Sequence, residues 1–400
     1  MHQLPQNSPT FGSRALGYAG LTMYECVVHS SPTHRSLAGQ LTGLTNLPLP
    51  GPGQQYNYSL ALNAGQATIL KSLFSFVPER LTKVDSLERV IYRELAEKDQ
   101  PEVIDRSIAY GQSTAEAIFT WSKTDGGHEG YKRNFDPGYS FPHGAGYWVA
   151  PVMGQIVTSF PLHPTWGTNR TFVPKNSTIP VPAILPYSKD PKSEYYQQCL
   201  DVYQKNRTLK YSEKAIAAWW ADDPTETYSP PGHSYNLVNI VVKTAAPDLV
   251  KAAETYARVG MAVADGFVNC WKAKFTYHCE RPSTFVRANI DPNWTQFWPE
   301  PPFPAFYSGH SVQSAATATV LADLYGARFL FVDNTHEGRP RDSFRGIDYL
   351  PRSFSSFWAT AEEAALSRFY GGIHTEQDNQ IGLAEGKKVG QHINALSWQR

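Results

Sequence analysis

The sequence predicts an all-α fold with long irregular loops, and three observations carry that prediction. Apolar residues recur at helical spacing in stretches spread along the whole chain. Strand-like alternation is nearly absent; ARFLFVD (327–333) is the best candidate and it is short. Between the periodic stretches lie segments dense in proline, glycine and aromatics, the chain holding 30 Pro, 29 Gly, 22 Tyr and 10 Trp. With 400 residues there is room for one large domain or two ordinary ones. No repeat or linker marks a boundary, so a single domain over 1–400 is expected.

Residues 1–12 read as an arm. Ser13 is the expected cap of a buried helix over about 13–30, because ALGYAGLTMYECVV is apolar on most faces. Residues 32–56, rich in Pro, Gly and Thr, read as loop, and a second helix should span roughly 57–75. A third should follow Thr82, where Val84, Leu87, Val90, Ile91 and Leu95 keep helical spacing. Pro101 opens a fourth, with Ile104, Ile108, Ala115 and Phe119 on one face.

From about 124 to 190 the periodicity stops. A loop of that length in a compact chain is usually functional or wraps the surface. It is expected to cover helices and form one wall of a substrate entrance. His128, His143 and His163 fall in it and read as hydrogen-bonded loop residues. Helical pattern resumes at 192–206 and 212–222, again near Ser234, and from Pro247-Asp248 in one long run. Helices at about 309–325, 353–369 and 375–395 complete the series.

Composition narrows the function classes. Hydrophobic residues make up 41% and charged ones 18%, which suits a globular core. Basic and acidic side chains balance at 36 each, against the basic excess usual in a nucleic-acid binder. No apolar run approaches the ~20 residues of a membrane span. No secretory signal opens the chain, but Met1-His2 runs straight into polar loop, as expected of an exported protein whose leader has been trimmed. Cys26, Cys199, Cys270 and Cys279 match no zinc spacing. Buried thiols are expected, with one disulfide the alternative in an exported protein.

Chemistry concentrates in three clusters: WKAKFTYHCERP (271–282), PPFPAFYSGHS (301–311) and SRFYGGIHTEQD (367–378). If the first stays helical, Trp271, Lys274, His278 and Arg281 share a face and Pro282 ends the helix. A solvated basic face is the plainer alternative. In the second, Ser308-Gly309-His310 leads into a clear helix. Unpaired N–H groups at a helix start favour an anion, Gly309 allows close approach, and Ser308 adds a hydroxyl. Phe303 and Phe306 would wall that site. In the third, Gly371-Gly372 breaks a helix between Arg368 and His374, so that both can reach one centre. Asp378, one turn on, either orients the imidazole or lies at the surface. Three cations, backbone donors, a hydroxyl and an imidazole suit a tetrahedral oxyanion such as phosphate or vanadate.

These residues resemble a known signature. Lys274, six residues, Arg281-Pro282; then Ser308-Gly309-His310; then Ser367-Arg368, five residues, His374, three residues, Asp378. Order and spacing are similar to those shared by vanadium-dependent haloperoxidases and the type-2 phosphatidic acid phosphatase superfamily. The resemblance covers about the last third of the chain. Trp271, Phe303 and the wording PPFPAF and SRFYGGIH resemble the haloperoxidase branch, especially its bacterial iodoperoxidases. Tyr307 departs from the common pattern, which has proline before Ser-Gly-His.

The resemblance implies a helical bundle and a vanadate cofactor held by residues within 271–378. It implies that His374 bonds vanadium, and that Lys274, Arg281, Ser308, Gly309 and Arg368 hold the vanadate oxygens. His310 would take the proton of hydrogen peroxide, as an imidazole titrating near neutrality could. Lys274 would help polarise the peroxide, and Trp271 and Phe303 would line the halide pocket. The implied reaction is oxidation of halide by hydrogen peroxide to hypohalous acid, iodide favoured and bromide next, with a small organic molecule as a further acceptor. The alternative on the same scaffold is a soluble acid phosphatase forming a phosphohistidine at His374.

Overall fold

The computed structural model describes residues 8–223 and 226–400, and its framework is helical. The helices are α1 Pro9–Val27, α2 Tyr58–Leu73, α3 Pro78–Ala96, α4 Pro101–Ser122, α5 Pro174–Ser177, α6 Glu194–Arg207 and α7 Tyr211–Trp219. They continue with α8 Ser229–Ala245, α9 Leu249–Tyr277, α10 Pro282–Asn289, α11 Gly309–Tyr325, α12 Phe357–Tyr370 and α13 Glu376–Asn394. The strand expected over 327–333 shrinks to β1 Phe331–Asp333, which pairs antiparallel with β2 Arg352–Phe354 through Phe331 opposite Phe354.

Several helices begin earlier than expected because a proline opens them. The arm expected over 1–12 lies outside the described residues as far as residue 7, but Pro9 already begins α1. Its cap is Ser8, whose hydroxyl accepts from the Phe11 N–H at 3.2 Å. Ser13, the expected cap, lies inside the helix and bonds the Thr10 carbonyl. Likewise α3 begins at Pro78 rather than after Thr82, and α8 at Ser229 just ahead of Pro230-Pro231. The physical reason is shared. A first-turn N–H has no intrahelical partner, so proline gives up nothing there and its fixed φ already matches the helix. α12 starts late, at Phe357, where the Ser356 hydroxyl caps the Ala359 N–H.

Two helix pairs position the chemistry. α9 packs along α1, and α11 packs along α13. The second pair is unusually close because α13 presents Gly382, Gly386 and Gly390 to α11 at a four-residue interval. A Cβ at Gly382 would stand 2.9 Å from the Ser308 carbonyl oxygen, and one at Gly386 only 2.2 Å from that of Val312. This approach brings the start of α13, with Asp378, against the start of α11, and the Ser308 N–H donates to the Asp378 carbonyl at 3.0 Å. Gly386→Ala is therefore expected to force the helices apart and destabilise the fold by about 1–3 kcal/mol, the usual cost of overpacking. Denaturant unfolding measures this; an unchanged midpoint would mean the helices slide without cost.

The 124–190 segment is mostly irregular, apart from the single turn of α5 and two short 3-10 turns. It covers α9, as expected. The Leu162 N–H donates to the Pro302 carbonyl at 2.8 Å, and the Phe172 and Val173 N–H groups cap the buried Asp265 carboxylate. Asn134, Phe135, Gln155 and Ile156 of this segment form one wall of a cavity that Trp271, Phe303 and His374 also line. His163 bonds the Thr10 hydroxyl and the Gly130 carbonyl, a loop-fixing role. All four cysteines are free thiols. Among the described residues no helix is long and apolar enough to cross a membrane.

Candidate active site

The three sequence clusters meet at one end of the α11–α13 pair. α9 delivers Trp271 and Lys274 from its last two turns and stops at Tyr277. His278 then takes the left-handed conformation at φ 50°. The continuous face expected through Arg281 is thus broken. His278 turns aside to the Tyr139 hydroxyl at 2.8 Å, and Arg281 enters the site from the N-cap position of α10. Pro282, expected to end a helix, begins one.

Arg368 lies in the last turn of α12, Gly372 reverses the chain at φ 79°, and His374 precedes Thr375, which caps α13. His374 Nδ1 lies 2.9 Å from Asp378 Oδ2, and Nε2 lies 3.0 Å from Arg281 Nη1. A guanidinium can only donate, so Nε2 carries the lone pair and Nδ1 carries the hydrogen. Asp378 is buried and fixes that tautomer, which decides between the two roles open to it in the sequence. Burial raises the Asp378 carboxyl to about 6 even with Lys274 and Arg281 nearby. Burial, with Arg281, Lys274 and Arg368 around it, drives His374 well below the ordinary imidazole range. The ring therefore stays neutral, the form that can offer a lone pair.

The cations are buried and unequally engaged. Lys274 Nζ donates to the carbonyls of Pro304, Ala305 and Tyr307 at 2.7–2.9 Å, which uses all three of its N–H bonds. Burial lowers its pKa to about 8. Arg281 donates to the Phe303 and Ile373 carbonyls as well as to His374. Arg368 donates through Nη1 to the Trp220 carbonyl at 3.2 Å, while its Nε is buried without a partner among the described residues. His310 Nε2 is also buried and unpartnered. Burial, then Arg368, pushes His310 well below its ordinary value, which corrects the expectation that it titrates near neutrality.

A cavity of about 140 Å³ opens over this centre, with Trp271, Phe303, Gly309, His310, Arg368 and His374 in its lining. Lys274, Arg281 and Ser308 stand behind that lining. Trp271 and Phe303 lie ring to ring at 4.8 Å, and the indole N–H is tied to the Leu162 carbonyl. A Cβ on Gly309 would meet nothing nearer than 3.8 Å, so the glycine leaves open room at the start of α11. Tyr307 contributes its carbonyl, to Lys274 and to the Cys270 thiol. Its phenol is buried away from the cavity. These features fit a tetrahedral oxyanion: free space at a helix N-terminus, two orphaned nitrogens, and surplus buried positive charge around a neutral imidazole.

One set of residues escaped sequence reasoning. The turn after α7 carries Asp222, buried and left-handed at φ 51°, which also lines the cavity. It lies 3.0 Å from His233 Nδ1 and 3.2 Å from His336 Nε2, and His233 Nε2 lies 2.9 Å from Asp333. Burial works against a charged His233, but the flanking Asp222 and Asp333 carboxylates hold it up at about 10. The Trp220 carbonyl in the same turn accepts from Arg368 and fixes His310, so this segment supports the centre from behind. The only sequence signal was the run Trp219-Trp220-Ala221-Asp222-Asp223; nothing local ties it to residues more than 100 positions later.

A family model described as the second helical-bundle domain of VCPO matches residues 254–398. No curated protein sequence matches. Among solved structures, the chain is similar to the first bacterial vanadium-dependent iodoperoxidase, with 29% identity and a TM-score of 0.82. That alignment covers 97% of this chain and 91% of the other. It also shares its fold with a holo-type bacterial vanadium-dependent chloroperoxidase at 15% identity and a TM-score of 0.70, over 98% and 93% of the two chains.

Proposed function

We propose that this protein is a vanadium-dependent haloperoxidase, working from the centre formed by His374, Arg368, His310 and the start of α11. The observation that carries the reading is the neutral, Asp378-oriented His374, its lone pair on Nε2, amid buried cations at the floor of an aromatic-walled cavity. The whole-length likeness to the iodoperoxidase structure supports it.

The residues present fit vanadate. His374 Nε2 would hold the metal, and Arg368 Nε and the Gly309 N–H would meet its oxygens. Arg281 stands within reach through Nη1, once that donor leaves His374. Lys274 contributes charge at close range, and a direct contact requires it to exchange one of its three carbonyls. Ser308 caps α11 through its hydroxyl and keeps the helix start in place. When bound, vanadate supplies Lewis-acid activation of hydrogen peroxide without a change in its own oxidation state. His310, neutral and with a free Nε2, takes the proton that incoming hydrogen peroxide gives up. Trp271 and Phe303 exclude water where a halide would approach, which strengthens every charge interaction there.

The test is direct. Metal-free protein should oxidise iodide with hydrogen peroxide only after orthovanadate is added. Unchanged iodide oxidation on adding vanadate, with steady turnover of a phosphate ester, would point instead to a phosphatase. Phosphate is expected to compete with vanadate for the same cradle, so reconstitution in phosphate buffer should be slow or fail. A vanadate titration indifferent to phosphate would mean that the cradle lies elsewhere.

Iodide is the expected best substrate, bromide weaker and chloride negligible. Iodide is the easiest of the three to oxidise, whereas chloride needs stronger polarisation and a drier pocket. Here Lys274 spends its donors on backbone carbonyls, which limits the polarisation it can supply. Initial rates at equal halide concentration and pH measure the order; a chloride rate within about tenfold of iodide, ~1.4 kcal/mol in barrier, would contradict it.

A further inference from the structure

We propose that Asp222, His233 and His336 form a site for a first-row divalent cation, zinc by its donor set, at the back of the active-site cavity. Their candidate ligand atoms all lie within 4.8 Å of one another, and all three residues are buried. Asp222 Oδ1 stands 3.0 Å from His233 Nδ1 and 3.2 Å from His336 Nε2. With ligand bonds of about 2.0–2.1 Å, tetrahedral coordination puts neighbouring donor atoms close to such separations. The two imidazole rings stand at 80° with centroids 5.2 Å apart, so their nitrogens converge from different directions.

Two further observations separate this cluster from an ordinary ion network. His336 Nε2 is buried and lies at ion-pair distance from Asp222 Oδ1, 3.2 Å, but not in line for a well-formed hydrogen bond, and no other described group meets it. A cation between the two groups would satisfy that nitrogen better than the poorly aligned contact does. The second observation is the outer shell. His233 Nε2 is held by Asp333, and Asp333 is itself fixed by the Trp219 indole N–H at 2.8 Å and by the Thr335 N–H at 3.0 Å. A carboxylate on the far nitrogen of a histidine is the usual brace of a metal-ligating imidazole. Two imidazoles and one carboxylate make an N/O donor set of the kind that binds zinc and its neighbours rather than calcium or magnesium. The cation would take the place of the proton otherwise shared by His233 and Asp222. It would lie behind the turn whose Trp220 carbonyl holds Arg368, so it would brace the oxyanion centre without being part of it.

The proposal stands independently of the vanadium reading and is tested by metal content. Full-length protein is stripped with EDTA, dialysed, and titrated with zinc chloride in phosphate-free buffer. One zinc per chain should bind in the wild type and equally in His374→Ala. His336→Gln removes a direct ligand and should weaken it by at least about 100-fold, the upper end of what losing even an outer-shell partner costs. If that variant does not fold, wild-type crystals grown with zinc decide, because anomalous scattering at the zinc edge must peak among residues 222, 233 and 336. No stoichiometric zinc in the wild type, undiminished binding in the variant, or an anomalous peak elsewhere would overturn the site and leave an Asp222–His233–Asp333 ion network.

Discussion

His374→Ala should abolish both vanadium retention and iodide oxidation, the largest effect expected of any single substitution in this protein. His374 is the cavity imidazole whose Nε2 lone pair is fixed toward the surrounding cations, where it accepts from Arg281. Arg368, Arg281 and the α11 N-terminus still attract an oxyanion without it, so the variant should bind vanadate weakly and release it on dialysis. Asp378→Ala removes the brace on Nδ1, together with the capping-box bond from the Thr375 N–H at the start of α13. The imidazole can then rotate or change tautomer, and retention should fall by about 10–100-fold rather than vanish. Elemental analysis after dialysis, read beside iodide turnover, measures both variants. Stoichiometric vanadium in His374→Ala would mean that another residue makes the bond.

Legibility in the sequence followed the range of the forces involved. α4 and α11 begin at the expected residues because Pro101 and Ser308 are local start signals with a mechanism of their own. α1 and α3 begin earlier than a hydroxyl cap at Ser13 or Thr82 predicts, because Pro9 and Pro78 fix φ and start them first. The meeting of Lys274, Arg281, Ser308, His310, Arg368 and His374 at one centre was legible because these residues come in three tight clusters. Within them, the Gly371-Gly372 break correctly separated Arg368 from His374. The helical face through Arg281 was misread because the left-handed turn at His278 falls on a residue with no strong signal for it. The engagement of Lys274 by three carbonyls, and the support from Asp222, His233, Asp333 and His336, were beyond reach. Both depend on chain segments brought together only by helix packing, and no local spacing encodes them.

His310→Ala should leave vanadate bound and slow iodide turnover by about 10²–10⁴-fold, the usual worth of a positioned acid or base. The ring sits in the first turn of α11, lines the cavity, and is steadied by the Trp220 carbonyl; its Nε2 has no partner among the described residues. That nitrogen is a free acceptor in the cavity that Arg368 also lines, so removing it leaves the oxyanion cradle intact but takes away the group that receives a proton. Burial and Arg368 disfavour the imidazolium, so in the metal-free protein the ring should stay unprotonated well below its ordinary pKa of about 6.5. An NMR titration of His310 in metal-free protein should therefore show no protonation as the pH falls through 6. A base held neutral in this way works without first losing a proton to solvent, and its conjugate acid, destabilised by Arg368, passes the proton on readily. The kinetic readout should divide accordingly: kcat for iodide falls while the vanadate dissociation constant changes little. Equal losses in both would make His310 part of the cradle, and an unchanged kcat would reduce it to a neighbour of the Ser308 cap.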